Sequence, residues 1–147
     1  MLVVEPVRNA DLDPVARLAV RTLQERYDPA WLAEHMESQN DTFLVARDIP
    51  TNQIVGFALA ERQEPLEGHV LALAVDGARR GEGIGRALLG NVRAEMARRG
   101  AFRLTLEVRA DDPQAQSFYA RQGFAPEGLE PCVYRDGGDA IRMARPL

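Results

Sequence analysis

Two adjoining segments constrain the fold of this chain most. An unbroken apolar run, His69–Val75 (HVLALAV), is followed after a short polar stretch by a turn with glycines at alternate positions, Gly81, Gly83 and Gly85. An apolar run without polar alternation suits a strand covered on both faces, near the middle of a sheet. After the turn, Ile84–Arg99 places Ile84, Ala87, Leu88, Val92 and Met96 on one stripe at helical spacing. Arg86, Arg93 and Arg98 lie largely off that stripe, and Gly100 ends the segment. A buried strand bending into an amphipathic helix requires a sheet with helices packed on it.

The remaining segments fit that frame. Leu2–Arg8 reads as a short strand ended by Asn9. Asp11 or Asp13 can cap a following helix, in which Pro14 precedes Val15, Leu18, Ala19 and Leu23 at helical spacing. A second short helix is expected from Pro29 to Ser38, capped by Asp28. Asp41–Asp48 and Gln53–Glu61 form a hairpin signal across Ile49-Pro50-Thr51-Asn52. Phe102–Arg109 alternates, with Leu104, Leu106 and Val108 on one face and Thr105, Glu107 and Arg109 on the other. Asp112-Pro113 opens another helix, closed by Gly123, and strands are expected at Phe124–Leu129 and Ala140–Ala144. The order β-α-α-β-β-β-α-β-α-β-β predicts an α+β fold: a mostly antiparallel mixed sheet flanked by about four helices.

Composition narrows the function. The 147 residues suit one domain, 1–147, with no repeat or Gly/Ser linker. Eighteen basic against twenty-two acidic side chains give a net charge of −4, without the electrostatic footprint of a nucleic-acid binder. The single Cys132 excludes an intramolecular disulfide, and with two histidines it argues against a zinc site. No metal is expected, and a reducing cytoplasm is the natural setting. Met1–Arg8 lacks the features of a signal peptide, and no apolar run approaches the ~20 residues of a membrane span.

The turn Arg79-Arg80-Gly81-Glu82-Gly83-Ile84-Gly85-Arg86 has its own chemistry. Its glycines permit close backbone approach, and N–H groups at the helix start favour an anion. Arg79, Arg80 and Arg86 add positive charge, so a pyrophosphate is the natural guest. The competing reading is a flexible loop with incidental arginines. A dinucleotide fingerprint would need a βαβ unit near the start with an acid about 20 residues on, and a nucleotide-hydrolase loop would need Gly-Lys-Ser/Thr.

With Arg80, Gly83 and Gly85 at the spacing Arg/Gln-x-x-Gly-x-Gly/Ala, the chain resembles the GCN5-related N-acetyltransferase (GNAT) family. The resemblance implies acetyl-CoA as cosubstrate. Its pyrophosphate would lie on Arg80, Gly81, Glu82, Gly83, Ile84, Gly85 and Arg86. Backbone groups of Leu73, Ala74 and Val75 would face the pantetheine arm and thioester carbonyl.

Leu106-Glu107-Val108-Arg109-Ala110-Asp111-Asp112, then Ala115, Phe118-Tyr119 and Gly123-Phe124, is similar to the ribosomal-protein-alanine (RimI-like) branch. The similarity runs over residues 67–125 and returns at Asp139-Ala140-Ile141 and Met143-Ala144. It implies Glu107 as general base and Tyr119 as general acid. An ammonium must lose a proton before attacking a thioester, and the departing thiolate must gain one. Asp112 stands where that branch usually carries an asparagine that contacts the cofactor; its capping role survives, and its contact to CoA is put in doubt. The plainer readings make Glu107 a solvated strand residue paired with Arg109, and Tyr119 a core aromatic. His69, at a strand start and expected to be exposed, and His35 are weaker candidates for a base.

An α-amino group, with a pKa of about 7.7–8.0 against about 10.4 for lysine, is neutral far more often near neutral pH. A peptide or protein N-terminus is therefore the chemically easier acceptor. A small amine (polyamine, amino acid or aminoglycoside) is the alternative, and a sensor that binds acetyl-CoA without turnover is the non-enzymatic one. Two regions depart from the branch: Pro131-Cys132-Val133-Tyr134 retains only Tyr134 of an expected tyrosine pair, and Tyr27-Asp28-Pro29-Ala30-Trp31 matches loosely. Glu25, Asp28, Glu34, Glu37, Glu61, Glu64 and Glu67 either favour a cationic substrate or form an ordinary solvated surface. Direct transfer without an acetyl-cysteine is expected, with no membrane or nucleic-acid partner, from a monomer or homodimer.

Overall fold

A computed structural model describes residues 1–63 and 66–147; Glu64, one of the acids named above, lies outside them. The strands are β1 (Leu2–Pro6), β2 (Asp41–Asp48), β3 (Gln53–Gln63), β4 (Glu67–Val75), β5 (Arg103–Arg109), β6 (Ala125–Glu130) and β7 (Ala140–Pro146). The helices are α1 (Leu12–Leu23), α2 (Pro29–Glu37), α3 (Ile84–Arg98) and α4 (Pro113–Arg121), and short 3-10 turns precede α1 and α3. The order of elements is the one expected from the sequence. Among the described residues, no helix is long and apolar enough to cross a membrane.

The strands form one sheet in the order β1-β2-β3-β4-β5-β7-β6. Every neighbouring pair is antiparallel except β4 and β5. The apolar run of β4 thus lies at the centre. α1 and α2 cover one face, burying Leu12, Val15, Leu18 and Leu32 against Phe43, Val45, Phe57, Leu59, Ala72 and Ala74. α3 and α4 cover the other, with Leu88, Leu89, Val92 and Met96 packed on Ala58, Ala60, Val70 and Leu104. Burying each such large side chain stabilises the fold by about 1.5–3 kcal/mol.

β4 fails to alternate for two reasons. Helices cover both its faces, and its pairing with β3 slips by one residue: Leu59 faces Ala72 but Ala60 faces Val70, leaving Leu71 as a bulge. Val70, Leu73 and Val75 consequently face α3, while His69, Ala72 and Ala74 face the other side.

Two expectations at the N-terminus need correction. β1 ends at Pro6 and not Arg8. Asp11 occupies the N-cap position of α1 without capping it. Its carboxylate is buried, accepts from the Arg8 backbone N–H at 2.9 Å and holds the Arg47 guanidinium through bonds of 2.8 and 3.0 Å. A buried guanidinium needs a charge partner, and that need outweighs the cap. Asp28 and Asp112 do cap their helices, accepting from Ala30 N–H at 2.8 Å and Ala115 N–H at 3.0 Å.

Candidate active site

Pairing between β4 and β5 runs only from Glu67↔Arg103 to Val70↔Leu106. Beyond the bulge at Leu71, β4 continues along β3 as far as Gly56↔Val75, while Glu107–Arg109 continue along β7. The two central strands therefore part, and a wedge opens at their C-terminal ends. Leu73, Ala74 and Val75 border one side of it, Glu107 the other.

The glycine-rich turn closes the β4 end of the wedge. Asp76 accepts from Ala78 N–H at 3.1 Å, and Gly81 and Gly83 take φ of +82° and +80°. Those angles suit glycine, and no other crowding demands it, because a Cβ at either position would meet nothing within 4 Å. α3 starts on Gly83 with no side-chain cap, and its first bond is Ala87 N–H to Gly83 carbonyl at 3.0 Å. The N–H groups of Ile84, Gly85 and Arg86 thus precede the helical ladder and point out of the helix end. Ile84 itself is buried and anchors the first turn in the core.

The arginines of this turn are not equivalent. Arg79 is held by Glu82 at 3.0 Å and Asp48 at 3.5 Å, so its charge and that of Glu82 fasten the turn to the end of β2. Arg80 and Arg86 are exposed and enter none of the ion pairs found among the described residues. Gly85 lets α3 approach α4, since a Cβ there would lie 3.3 Å from Phe118 Cζ and 3.6 Å from Val75 Cγ2.

Glu107 sits at the parting of the strands, its side chain 29% exposed. Burial raises its pKa first, and a hydrogen bond and like charge from Glu130 add to this, with Arg142 opposing. Glu130 thus reaches the same corner of the site and favours the protonated form of Glu107. Beneath them, His69 Nε2 lies 3.7 Å from Glu107 Oε1, and His69 Nδ1 is 2.7 Å from the Thr105 hydroxyl.

His69 is therefore not the exposed residue expected from its place at a strand start. It is 7% exposed, because β4 begins at Glu67 and the side chain is covered within the sheet face. Burial and Arg142 both lower its pKa, which keeps the ring neutral. His35 lies elsewhere, hydrogen-bonded to Asp41 at the β2 end. The plainer alternative, Glu107 paired with Arg109, is not what forms: Arg109 binds Asp111 at 3.1 Å and Asp136 at 2.6 Å, and lies 4.5 Å over the Tyr134 ring.

Tyr119 is brought back over the strand end by α4. Gln116 Nε2 donates to the carbonyls of Arg109 (2.9 Å) and Ala110 (3.1 Å), tying the helix to the last residues of β5. The Tyr119 ring packs edge-on against Phe118 and Phe124, at 5.2 and 5.9 Å between centroids. Burial, then the neighbouring Tyr134 and Asp112, raise its pKa, so the phenol holds its proton at neutral pH. The pKa of Tyr134 is itself raised, by burial first and then by Glu107.

Sequence reasoning missed Glu130 and the burial of His69. Glu130 reaches the site through a bulge at Glu127, where Pro126 faces Met143 but Gly128 faces Arg142. Without it, residues 127 and 130 would point to opposite faces. With it, both approach Arg142, at 3.6 and 3.9 Å.

Residues 11–147 match the family profile described as "Acetyltransferase (GNAT) domain". The chain is 31% identical to an N-alpha-acetyltransferase of Sulfurisphaera tokodaii, over 96% of this chain and 92% of that protein. It is 34% identical to N-alpha-acetyltransferase RimI of Mycobacterium tuberculosis, over 93% and 87% respectively. The crystal structure of Ard1 from Thermoplasma volcanium superposes with a TM-score of 0.91 at 27% identity, covering 99% of this chain and 97% of that one.

Proposed function

This chain belongs to the GNAT acetyltransferase family, and from that premise we propose that it moves an acetyl group from acetyl-CoA to the α-amino group of a peptide or protein N-terminus. The donor fits the residues present. α3 begins uncapped, its outward N–H groups suit a pyrophosphate, and Arg80 and Arg86 stand beside them without carboxylate partners. Ile84 and Gly85 contribute their N–H groups, while Gly81, Gly83 and the Arg79–Glu82 pair shape the turn. Leu73, Ala74 and Val75 present backbone to the thioester arm. Asp112 is engaged in its cap, so its part in holding CoA is the weakest of the set.

Acetyl-CoA supplies an acyl carbon activated by a thiolate leaving group. Glu107 accepts a proton from the incoming ammonium, directly or through water, and the freed amine attacks. A C–N bond forms, the C–S bond breaks, the Tyr119 phenol gives its proton to the departing sulfur, and the second proton leaving the acylated nitrogen restores the phenol through solvent. A backbone N–H on the Leu73–Val75 edge of the wedge holds the oxygen on which charge develops. Such proton transfers contribute about 10²–10⁴-fold and one oxyanion donor about 10²–10³-fold.

The observation that carries this reading is the place of Glu107, part-buried immediately beyond Val70↔Leu106, where β4 and β5 part. A carboxylate with raised pKa is better matched to an α-ammonium of pKa about 7.7–8.0 than to lysine at about 10.4. The named relatives at 31% and 34% identity support the same acceptor class. Intact-mass analysis of a peptide panel and a small-amine panel, alongside thiol release, tests it. Acetylation confined to free peptide N-termini supports the proposal, whereas turnover only of polyamines, amino acids or aminoglycosides contradicts it.

A further inference from the structure

His35, Asp41 and Glu61 come together at the exit of α2, away from the wedge. Each offers one ligand atom, and the three atoms lie within 4.8 Å of one another. Asp41 and Glu61 pair directly across β2 and β3, so their side chains share the sheet face that α2 covers. His35 reaches them from the last turn of α2 and hydrogen-bonds the Asp41 carboxylate. A hollow of about 270 Å³ opens over the three, bordered also by Glu34, Ser38 and Arg62.

The charge of this cluster is left unbalanced by arginine. Like charges directly opposite on neighbouring strands destabilise a sheet. The Asp41 side chain is only 5% exposed, and its one ion-pair partner among the described residues is His35. Glu61 enters none of the ion pairs found among them, and neither does Arg62 on the rim of the hollow. Arg99 spends its guanidinium on Glu95 and on the carbonyls of Gln39 and Asp41. Burial raises the Asp41 pKa, the bond and charge of His35 oppose this, and the charge of Glu61 adds to it. A cation in the hollow would offset both carboxylates, and the C-terminal end of α2 favours positive charge at the same point.

The three donors are held from outside. The Trp31 ring packs edge-on against the imidazole of His35 at 4.3 Å between centroids, and Tyr27 stacks on Trp31 at 5.0 Å. Gln63 Nε2 donates to Glu61 Oε1 at 3.1 Å. The segment between α2 and β2 is tied down by Arg99 on one side and by the Arg62 N–H, which donates to the Asn40 carbonyl at 2.9 Å, on the other. Ligands fixed in this way by neighbouring groups are the mark of a prepared coordination site.

From this placement we propose that His35, Asp41 and Glu61 bind one Zn²⁺ ion, with water completing a tetrahedral site and the ion clamping α2 to β2 and β3. The number of cysteines and histidines argued against zinc, but the fold supplies carboxylates where thiolates would otherwise be needed. One imidazole with two carboxylates neutralises a divalent ion, and the imidazole favours zinc over magnesium or calcium. On loading, the His35–Asp41 hydrogen bond gives way to two bonds to the ion, and the proton between them leaves to solvent.

Zinc titration of the full chain, stripped beforehand with a chelator, tests this against a chromophoric competitor, with metal content counted by mass spectrometry after gel filtration. One equivalent of Zn²⁺ is expected at micromolar affinity or tighter, and excess Mg²⁺ should not displace it. Asp41→Asn and Glu61→Gln should each weaken binding at least about 10-fold, while Cys132→Ser binds as the wild type does. Circular dichroism checks folding, and the less buried Glu61→Gln carries the test if Asp41→Asn fails to fold. Zinc should raise the Tm of the wild type and leave that of Glu61→Gln unchanged. Co²⁺ in place of zinc should give tetrahedral visible bands without a thiolate charge-transfer band. Folded wild type that retains no zinc, or unchanged affinity in Glu61→Gln, overturns the proposal. A thiolate band would give the metal to Cys132 and overturn it as well.

Discussion

His69 Nε2 stands 3.7 Å from Glu107 Oε1 across the parallel step from β4 to β5. Thr105 fixes the ring: its hydroxyl donates to the Gly68 carbonyl at 3.4 Å and so is free to accept from His69 Nδ1–H at 2.7 Å. That arrangement leaves the Nε2 lone pair facing the carboxyl group. At that distance the two groups do not hydrogen-bond, and Glu107 faces a neutral ring and not a cation. The ring thus sits beside the carboxyl group without adding a cation, while burial and then Glu130 raise the Glu107 pKa.

Replacing Glu107 with Gln removes the proton acceptor and keeps the shape. Turnover should fall by about 10²–10⁴-fold. Calorimetry should give an unchanged CoA affinity, because the residue lies on the β5 side of the wedge, away from the turn at the start of α3.

The acid limb of kcat/KM should lie above that of an unperturbed glutamate, since Glu107 must be ionised to act and its pKa is raised. Glu130 contributes to that rise through its hydrogen bond and its charge. Glu130→Gln removes the charge, so the limb should move to lower pH, as a pH–rate profile of the two proteins will show.

Tyr119→Phe should slow turnover at every pH, by about 10²-fold or more. Burial raises the pKa of the phenol above its usual value, so ionisation of Tyr119 should cause no alkaline loss of activity below about pH 10. Acyl donors with better leaving groups should rescue the variant in a stopped-flow assay.

Gly56 allows the first turn of α3 to lie on β3. A Cβ there would come 3.0 Å from the Ala74 carbonyl oxygen, 3.0 Å from Leu88 Cδ1 and 3.1 Å from Ile84 Cγ2. Gly56→Ala should cost about 1–3 kcal/mol of stability by overpacking, measured as a lower urea midpoint at constant m-value.

Asp11→Ala should cost about 3 kcal/mol or more, because it strips the buried Arg47 of one of its two carboxylates. Activity of the folded fraction should persist, since the pair joins α1 to β2 away from the wedge.

What the sequence made legible was local. The glycine turn, the uncapped start of α3, the alternation of β5 and the Asp112-Pro113 helix start all follow from neighbouring residues, and so did the order of elements. What it hid depended on register. His69 is buried because β4 extends back to Glu67 and pairs in parallel with β5, and nothing in HVLALAV announces that partner. Glu130 joins Glu107 only because Glu127 is bulged out of the β6 ladder, which reverses the side of every later residue. The alternative Glu107–Arg109 pair fails to form for a related reason: Asp136, 27 residues away, competes for Arg109 once β7 folds back. The cluster of His35, Asp41 and Glu61 joins α2, β2 and β3, so it exists only after the sheet has formed.

The central claim is that the wedge between β4 and β5 brings the donor's acyl carbon between Glu107 and Tyr119. A crystal structure with a bisubstrate ligand, a peptide α-amine joined through an acetyl bridge to CoA, measures this directly. The account predicts pyrophosphate on the N–H groups at the start of α3, the peptide nitrogen beside Glu107 and the sulfur beside the Tyr119 hydroxyl. A ligand seated outside the wedge, or one whose nitrogen and sulfur both lie beyond reach of these two side chains, would contradict it.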